Sequence, residues 1–169
     1  MSANFSDGVE GTPVDYDPFA GPALERVVPT TEPQREVWLA NRLGREASLA
    51  YNESVTLRFV GPLNADCLKA ALQDLVRRHD ALRATISASG EEMCIAAELA
   101  LEVPLKDHSA LTEQQREATF ASARGRAVET PFDLERGPLF RAEILKFGPA
   151  EHLLVVTAHH IVCDDCEAG

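Results

Sequence analysis

The sequence predicts an α/β fold, a mixed two-layer sandwich in which helices cover a sheet. Three observations predict it. Ser54-Val55-Thr56-Leu57-Arg58-Phe59 alternates with period two as far as Gly61-Pro62, the pattern of a strand with unlike faces. Leu68, Ala71, Leu72, Leu75 and Val76 recur at three and four residues, which draws one apolar stripe along a helix. Leu153 to Val156 is apolar throughout, as a central strand covered on both faces has to be.

The elements follow in order. Residues 1–28 contain Gly8, Gly11, Pro13, Asp15, Asp17, Pro18, Gly21 and Pro22 with little apolar periodicity, so they are expected to form a flexible acidic leader or linker ahead of a folded unit at 29–169. Thr31 can cap a first helix with Pro33 in its opening turn, and Val37, Trp38 and Leu39 follow before Gly44. Trp38 is most simply that helix's anchor in the core. After the strand at Ser54–Phe59, Asn64 caps the striped helix. Arg77, Arg78 and His79 suit its carboxyl end, where the helix dipole favours cations.

Short strands are expected at Leu82–Ile86 and Met93–Ala97, around Ser89-Gly90 and a solvated Glu91-Glu92, with another at Leu101–Val103 ahead of Pro104. Thr112 and Gln115 resemble a capping box that opens a helix through Phe120, Ala123 and Ala127 to about Glu129, where Pro131 stops it. Phe140–Ile144 alternates apolar and charged residues, as a strand with one exposed face does. Gly148-Pro149 then turns the chain into the apolar strand.

Composition narrows the function. Asp and Glu outnumber Lys and Arg 27 to 16, a net charge of −11. Nucleic acid, whose phosphates need clustered cations, is thereby excluded as the main partner. No apolar segment approaches the ~20 residues that cross a bilayer, and no basic n-region or apolar h-region opens the chain. Cys67, Cys94, Cys163 and Cys166 have no spacing typical of a secreted disulfide framework, so reduced thiols in a cytoplasm are expected. The 169 residues suffice for one core or for one lobe of a larger unit.

The candidate chemistry sits at the end of the chain. His159 and His160 follow the apolar strand, and Cys163, Asp164 and Asp165 come next. Neighbouring strand residues face opposite ways, so both rings enter one cleft only if the strand ends between them. One reading makes both structural, satisfied by backbone carbonyls. The other makes one ring a proton acceptor that Asp164 orients or whose turn it anchors. His159, His160, Cys163 and Cys166 can in principle supply four metal ligands. Against that, Asp164 and Asp165 lie between the cysteines and would raise the thiol pKa, so no metal is expected. Arg78-His79-Asp80-Ala81-Leu82-Arg83 reads as a charged helix end or as charges that hold the sheet near the histidines.

Together these segments resemble the condensation domains of nonribosomal peptide synthetases. His159-His160-Ile161-Val162-Cys163-Asp164-Asp165 is similar to their His-His-x-x-x-Asp-Gly signature, and Arg78-His79-Asp80-Ala81-Leu82-Arg83-Ala84-Thr85 to their Arg-His-Glu-x-Leu-Arg-Thr segment. Thr31-Glu32-Pro33-Gln34-Arg35-Glu36-Val37-Trp38 looks like their opening Ser-x-Ala-Gln-x-x-x-Trp. Tyr51-Asn52, Gly61-Pro62-Leu63 and the run from Pro131 to Arg141 match in order and spacing.

The resemblance implies a chloramphenicol acetyltransferase-like half-domain, with 29–169 as the amino-terminal lobe of a condensation domain and a carboxyl-terminal lobe missing at this length. It implies amide formation between acyl or aminoacyl thioesters held on the phosphopantetheine of partner carrier domains, with no cofactor bound directly. His160 would assist the acceptor amine, while His159, Asp164, Asp165, Arg78 and Arg83 support the site. Asp165 stands where the family has Gly, and Cys166 and Glu167 replace the usual aromatic residue and Ser. An acyl-CoA-dependent acyltransferase of the same fold and a noncatalytic carrier-docking module are the alternatives.

Overall fold

The computed structural model describes residues 23–163. Its strands are β1 Leu24–Pro29, β2 Asn52–Val60, β3 Ala84–Ile86, β4 Glu92–Ala96, β5 Leu105–Asp107, β6 Phe140–Gly148 and β7 Glu151–His159. The helices are α1 Glu32–Asn41, α2 Arg45–Leu49, α3 Ala65–Arg78 and α4 Glu113–Glu129, with 3₁₀ turns at Asp80–Arg83 and His160–Val162. The α/β class holds. A three-stranded sheet runs β1-β4-β3, and a four-stranded sheet runs β2-β7-β6-β5. Among the described residues no helix is long and apolar enough to cross a membrane.

The larger sheet carries the site. β7 pairs antiparallel with β2 and β6, placing Asn52 opposite His159 and Phe140 opposite Ala158. Successive side chains alternate faces. Ala142, Ile144, Leu154 and Val156 pack with Leu72 and Leu68 of α3. Leu145, Phe147 and Leu153 pack instead with Ala123 and Phe120 of α4. β7 is therefore buried on both faces, as its unbroken apolar run requires. Asn64 caps α3 by accepting from the Asp66 and Cys67 N–H groups, and the Thr112–Gln115 capping box opens α4.

β6 departs from expectation, because its charged face is covered. Arg141 donates to the Thr130 carbonyl at 2.7 Å and to Ala127, the carbonyl end of α4, while Glu143 pairs with Lys106 and Arg126. A guanidinium suits a helix carboxyl end on both dipole and hydrogen-bond grounds. Alternation thus reports the contrast of the two faces and not the exposure of either.

Three boundaries also move. The expected leader overlaps β1, whose Val27 and Val28 pair with Cys94 and Met93; backbone pairing makes a strand here without a strong side-chain pattern. The strand expected at Leu101–Val103 is a loop, and β5 starts beyond Pro104 and pairs parallel with β6. Gln73 of α3 holds that loop, accepting from the Leu101 N–H and donating to the Leu99 carbonyl, each at 2.8 Å. The strand expected from Leu82 begins at Ala84, because Asp80–Arg83 turns Arg83 inward.

The second core lies beside the site. Ile86, Met93, Ile95, Phe132, Leu134, Leu139 and Ile161 are buried together, with Trp38 packed against them as its anchoring role predicts. Gly90 has φ +77°, and a Cβ there would stand 2.5 Å from the Trp38 ring. Gly90→Ala combines left-handed backbone with a clash against a rigid indole, and is expected to cost about 2–3 kcal/mol. Trp38 is the only tryptophan, so its fluorescence in a urea titration reports the loss. An unfolding midpoint equal to wild type would refute the fit.

Candidate active site

The strand ends between the two histidines. His159 is the last residue of β7 and its N–H still bonds to Leu139, whereas the His160 N–H turns to the Tyr51 carbonyl at 2.9 Å and opens the 3₁₀ turn. This break frees the pair from the opposite-face rule. The rings then meet different surroundings.

His159 is fully buried. Its Nδ1 accepts the Ile161 N–H at 3.2 Å, so the side chain caps the turn that carries its neighbour. Its Nε2 lies 3.2 Å from the Asn41 side-chain nitrogen, which also donates to Ser48 Oγ. Phe132 lies edge-on to the ring and Tyr51 tilts against it, with centroids 5.9 Å away in each case. Burial, and secondarily the positive charge His160 can carry, push the His159 pKa down to about 4.

The lowered value sets a pH dependence. Unfolded, the ring takes a proton near its ordinary 6.5; folded, it stays neutral until about 4. Between these values the unfolded state binds more protons, so stability falls as pH falls, and below about 4 this contribution levels off. The loss expected from pH 7 to pH 5 is about 2 kcal/mol. Unfolding free energies measured across that interval should show the slope, and His159→Gln should remove it. A wild-type slope of zero there would contradict neutral burial.

His160 is different, with 30% of its side chain exposed. Nδ1 meets Glu53 Oε1 at 2.5 Å, and the Tyr51 ring stacks alongside at 6.3 Å. The Cys163 thiol donates to Glu53 Oε2 and to the His159 carbonyl, both at 3.4 Å. Gln34 of α1 serves two ends at once: it completes the Thr31 capping box and its Nε2 donates to the Ile161 carbonyl at 3.1 Å. β2, α1 and the turn are thereby tied around one accessible imidazole.

The other expected residues fall elsewhere or outside. Arg83 is buried and donates to the Val76, Arg77 and Ala96 carbonyls and to Glu25 and Asp80, so it locks the α3–β3 turn to β1 and β4. None of these bonds reaches the histidine turn. Arg78 is exposed at the end of α3. Asp164, Asp165 and Cys166 lie outside the described residues, and among the described residues no three metal-binding side chains converge. Glu53 and Asn41 are not singled out by the sequence; adjacency of Glu53 to the Tyr51-Asn52 pair is its only signal.

Comparison with known proteins assigns the family. The Condensation domain family model matches residues 24–166. Chondramide synthase cmdD of Chondromyces crocatus is 38% identical over 145 residues, covering 85% of this chain and 4% of that protein. Malpibaldin synthetase of Mortierella alpina is 32% identical over 139 residues, covering 80% and 2%. The solved starter condensation domain of rhizomide synthetase RzmA superposes with a TM-score of 0.69 at 28% identity, covering 80% of this chain and 34% of that one. The chain thus spans a small fraction of its curated relatives. With its paired-histidine turn, its two sheets and the matched family model in agreement, the chain belongs to the condensation domain family.

Proposed function

We propose that the chain is the amino-terminal lobe of a domain that forms amide bonds between carrier-bound acyl or aminoacyl thioesters, in nonribosomal peptide or hybrid polyketide-peptide biosynthesis in the cytoplasm. One observation carries this reading: an accessible His160, held at Nδ1, beside a buried neutral His159 that only supports it. The acceptor amine attacks the donor thioester carbonyl, the N–C bond forms and the C–S bond breaks. His160 Nε2 takes the amine proton or donates to the tetrahedral oxyanion, and the proton passes to the departing phosphopantetheine thiolate. An imidazole suits both tasks near neutral pH.

The substrates arrive on the phosphopantetheine arms of partner carrier domains, and no cofactor is bound directly. A variant of the RzmA starter condensation domain has been solved with C8-CoA and Leu-SNAC, which supports two thioester substrates. In the same reading Asp164 and Asp165 are supporting residues of the signature, and Arg83 supports the site only through the fold, by locking the α3–β3 turn to β1 and β4. The isolated chain is inactive, because this lobe is one wall of a channel whose other wall is a carboxyl-terminal lobe.

The test supplies the chain with a carboxyl-terminal condensation lobe and two loaded carriers, and follows the amide by mass spectrometry. Amide on the acceptor carrier supports the reading. Product formed from an acyl-CoA without any donor carrier would replace it with a free-standing acyltransferase. Carrier binding with no product from either donor would leave only a docking module.

A further inference from the structure

We propose that Glu53 is the positioning residue for His160, holding its ring in the Nδ1–H tautomer so that Nε2 presents a lone pair. The inference rests on His160 being the acting imidazole in the proposed reaction. Glu53 is the second residue of β2, opposite Ala158 in the ladder, so strand pairing itself brings its carboxylate to the turn. One oxygen faces His160 Nδ1 at 2.5 Å and the other accepts the Cys163 thiol at 3.4 Å. A carboxylate has no proton of its own to give at neutral pH, so the Nδ1 partner of the pair must be the donor.

The choice of tautomer has a chemical consequence. A neutral imidazole carries one proton, and fixing it on Nδ1 leaves Nε2 as the acceptor. Without a Nδ1 partner the proton exchanges between nitrogens, and the ring rotates about its χ angles in a site that is only partly packed. Tyr51 restrains the ring by stacking. His159 cannot serve as the Nδ1 partner, since its own nitrogens face Ile161 and Asn41. Glu53 is therefore the group that decides the proton's place. Both members of the pair are about a third exposed, and pairs so exposed add little to stability. Its effect should be read in tautomer and rate, with stability nearly unchanged.

Two readouts test this, the first independent of any activity. Long-range 1H–15N spectra of the ¹⁵N-histidine-labelled chain at a pH of about 8, above the ordinary imidazole range, report which nitrogen of His160 holds the proton. The wild type is expected to show Nδ1–H, and Glu53→Met a mixture of tautomers. A wild-type His160 with Nε2–H overturns the proposal whether or not any variant folds, as does a folded Glu53→Met with an unchanged tautomer.

In the reconstituted condensation assay, Glu53→Met is expected to lower kcat about 10–100-fold with KM within about twofold, the usual cost of losing a ring-orienting partner. Glu53→Asp should recover part of the rate. A fully active Glu53→Met also overturns the proposal. If the wild type makes no amide but the tautomers behave as expected, the positioning role stands and the proposed reaction falls.

Discussion

His160→Ala is expected to lower amide formation about 10²–10⁴-fold, the usual contribution of one general acid–base group, while leaving the fold intact. The side chain is part-exposed, its ring leaves no closed cavity when removed, and its N–H to Tyr51 is a backbone bond that alanine keeps. A melting temperature within about 2 °C of wild type is therefore expected. His159→Ala should behave oppositely. It removes a fully buried ring, the cap on Ile161 and the partner of Asn41, and is expected to cost about 2–4 kcal/mol through the void and the orphaned groups. Single-turnover rates and melting curves for the two variants separate a chemical role from a structural one. Retention of rate within about threefold in a folded His160→Ala would refute proton handling by this ring.

Arg83→Met is expected to destabilise the chain by about 3–4 kcal/mol. The guanidinium satisfies three carbonyls, Val76 at 3.2 Å, Arg77 at 2.5 Å and Ala96 at 2.9 Å, and methionine leaves all three without that donor. Glu25 and Asp80 are half exposed and recover water, so the carbonyls carry most of the cost. For a chain of this size that corresponds to roughly 6–16 °C in melting temperature. Arg83→Lys should recover less than half, because one ammonium cannot span carbonyls on α3 and β4 as a planar fork does. Since no bond of Arg83 reaches the histidines, the loss in activity should follow the folded fraction. Lower activity per folded molecule would show that the arginine also acts on the site.

Much of the architecture is legible because its signals are local. Asn64, Thr31, and Thr112 with Gln115 announce helix starts through side chains that satisfy nearby N–H groups, and all three caps form, the Thr31 cap gaining Gln34 as its reciprocal partner in the structure. The apolar run of β7 states its burial directly. β1 is not legible, since its stability comes from pairing with β4, far along the chain, and not from its own mostly exposed side chains. The covered face of β6 is hidden for a related reason. Its charges meet the end of α4, a partner that alternation cannot reveal.

At the site, the sequence alone determined that two histidines end a buried strand and that a strand break between them would let them take unlike roles. The ordered motifs pointed to the family. Which ring is buried, and which group turns the other, were tertiary decisions. His159 is neutral because Phe132, Tyr51, Asn41 and the Ile161 N–H close around it. The partner of His160 comes from β2, 107 residues earlier. A carboxylate that remote cannot be assigned to an imidazole by spacing, because only the antiparallel register of β2 on β7 puts the two side chains together.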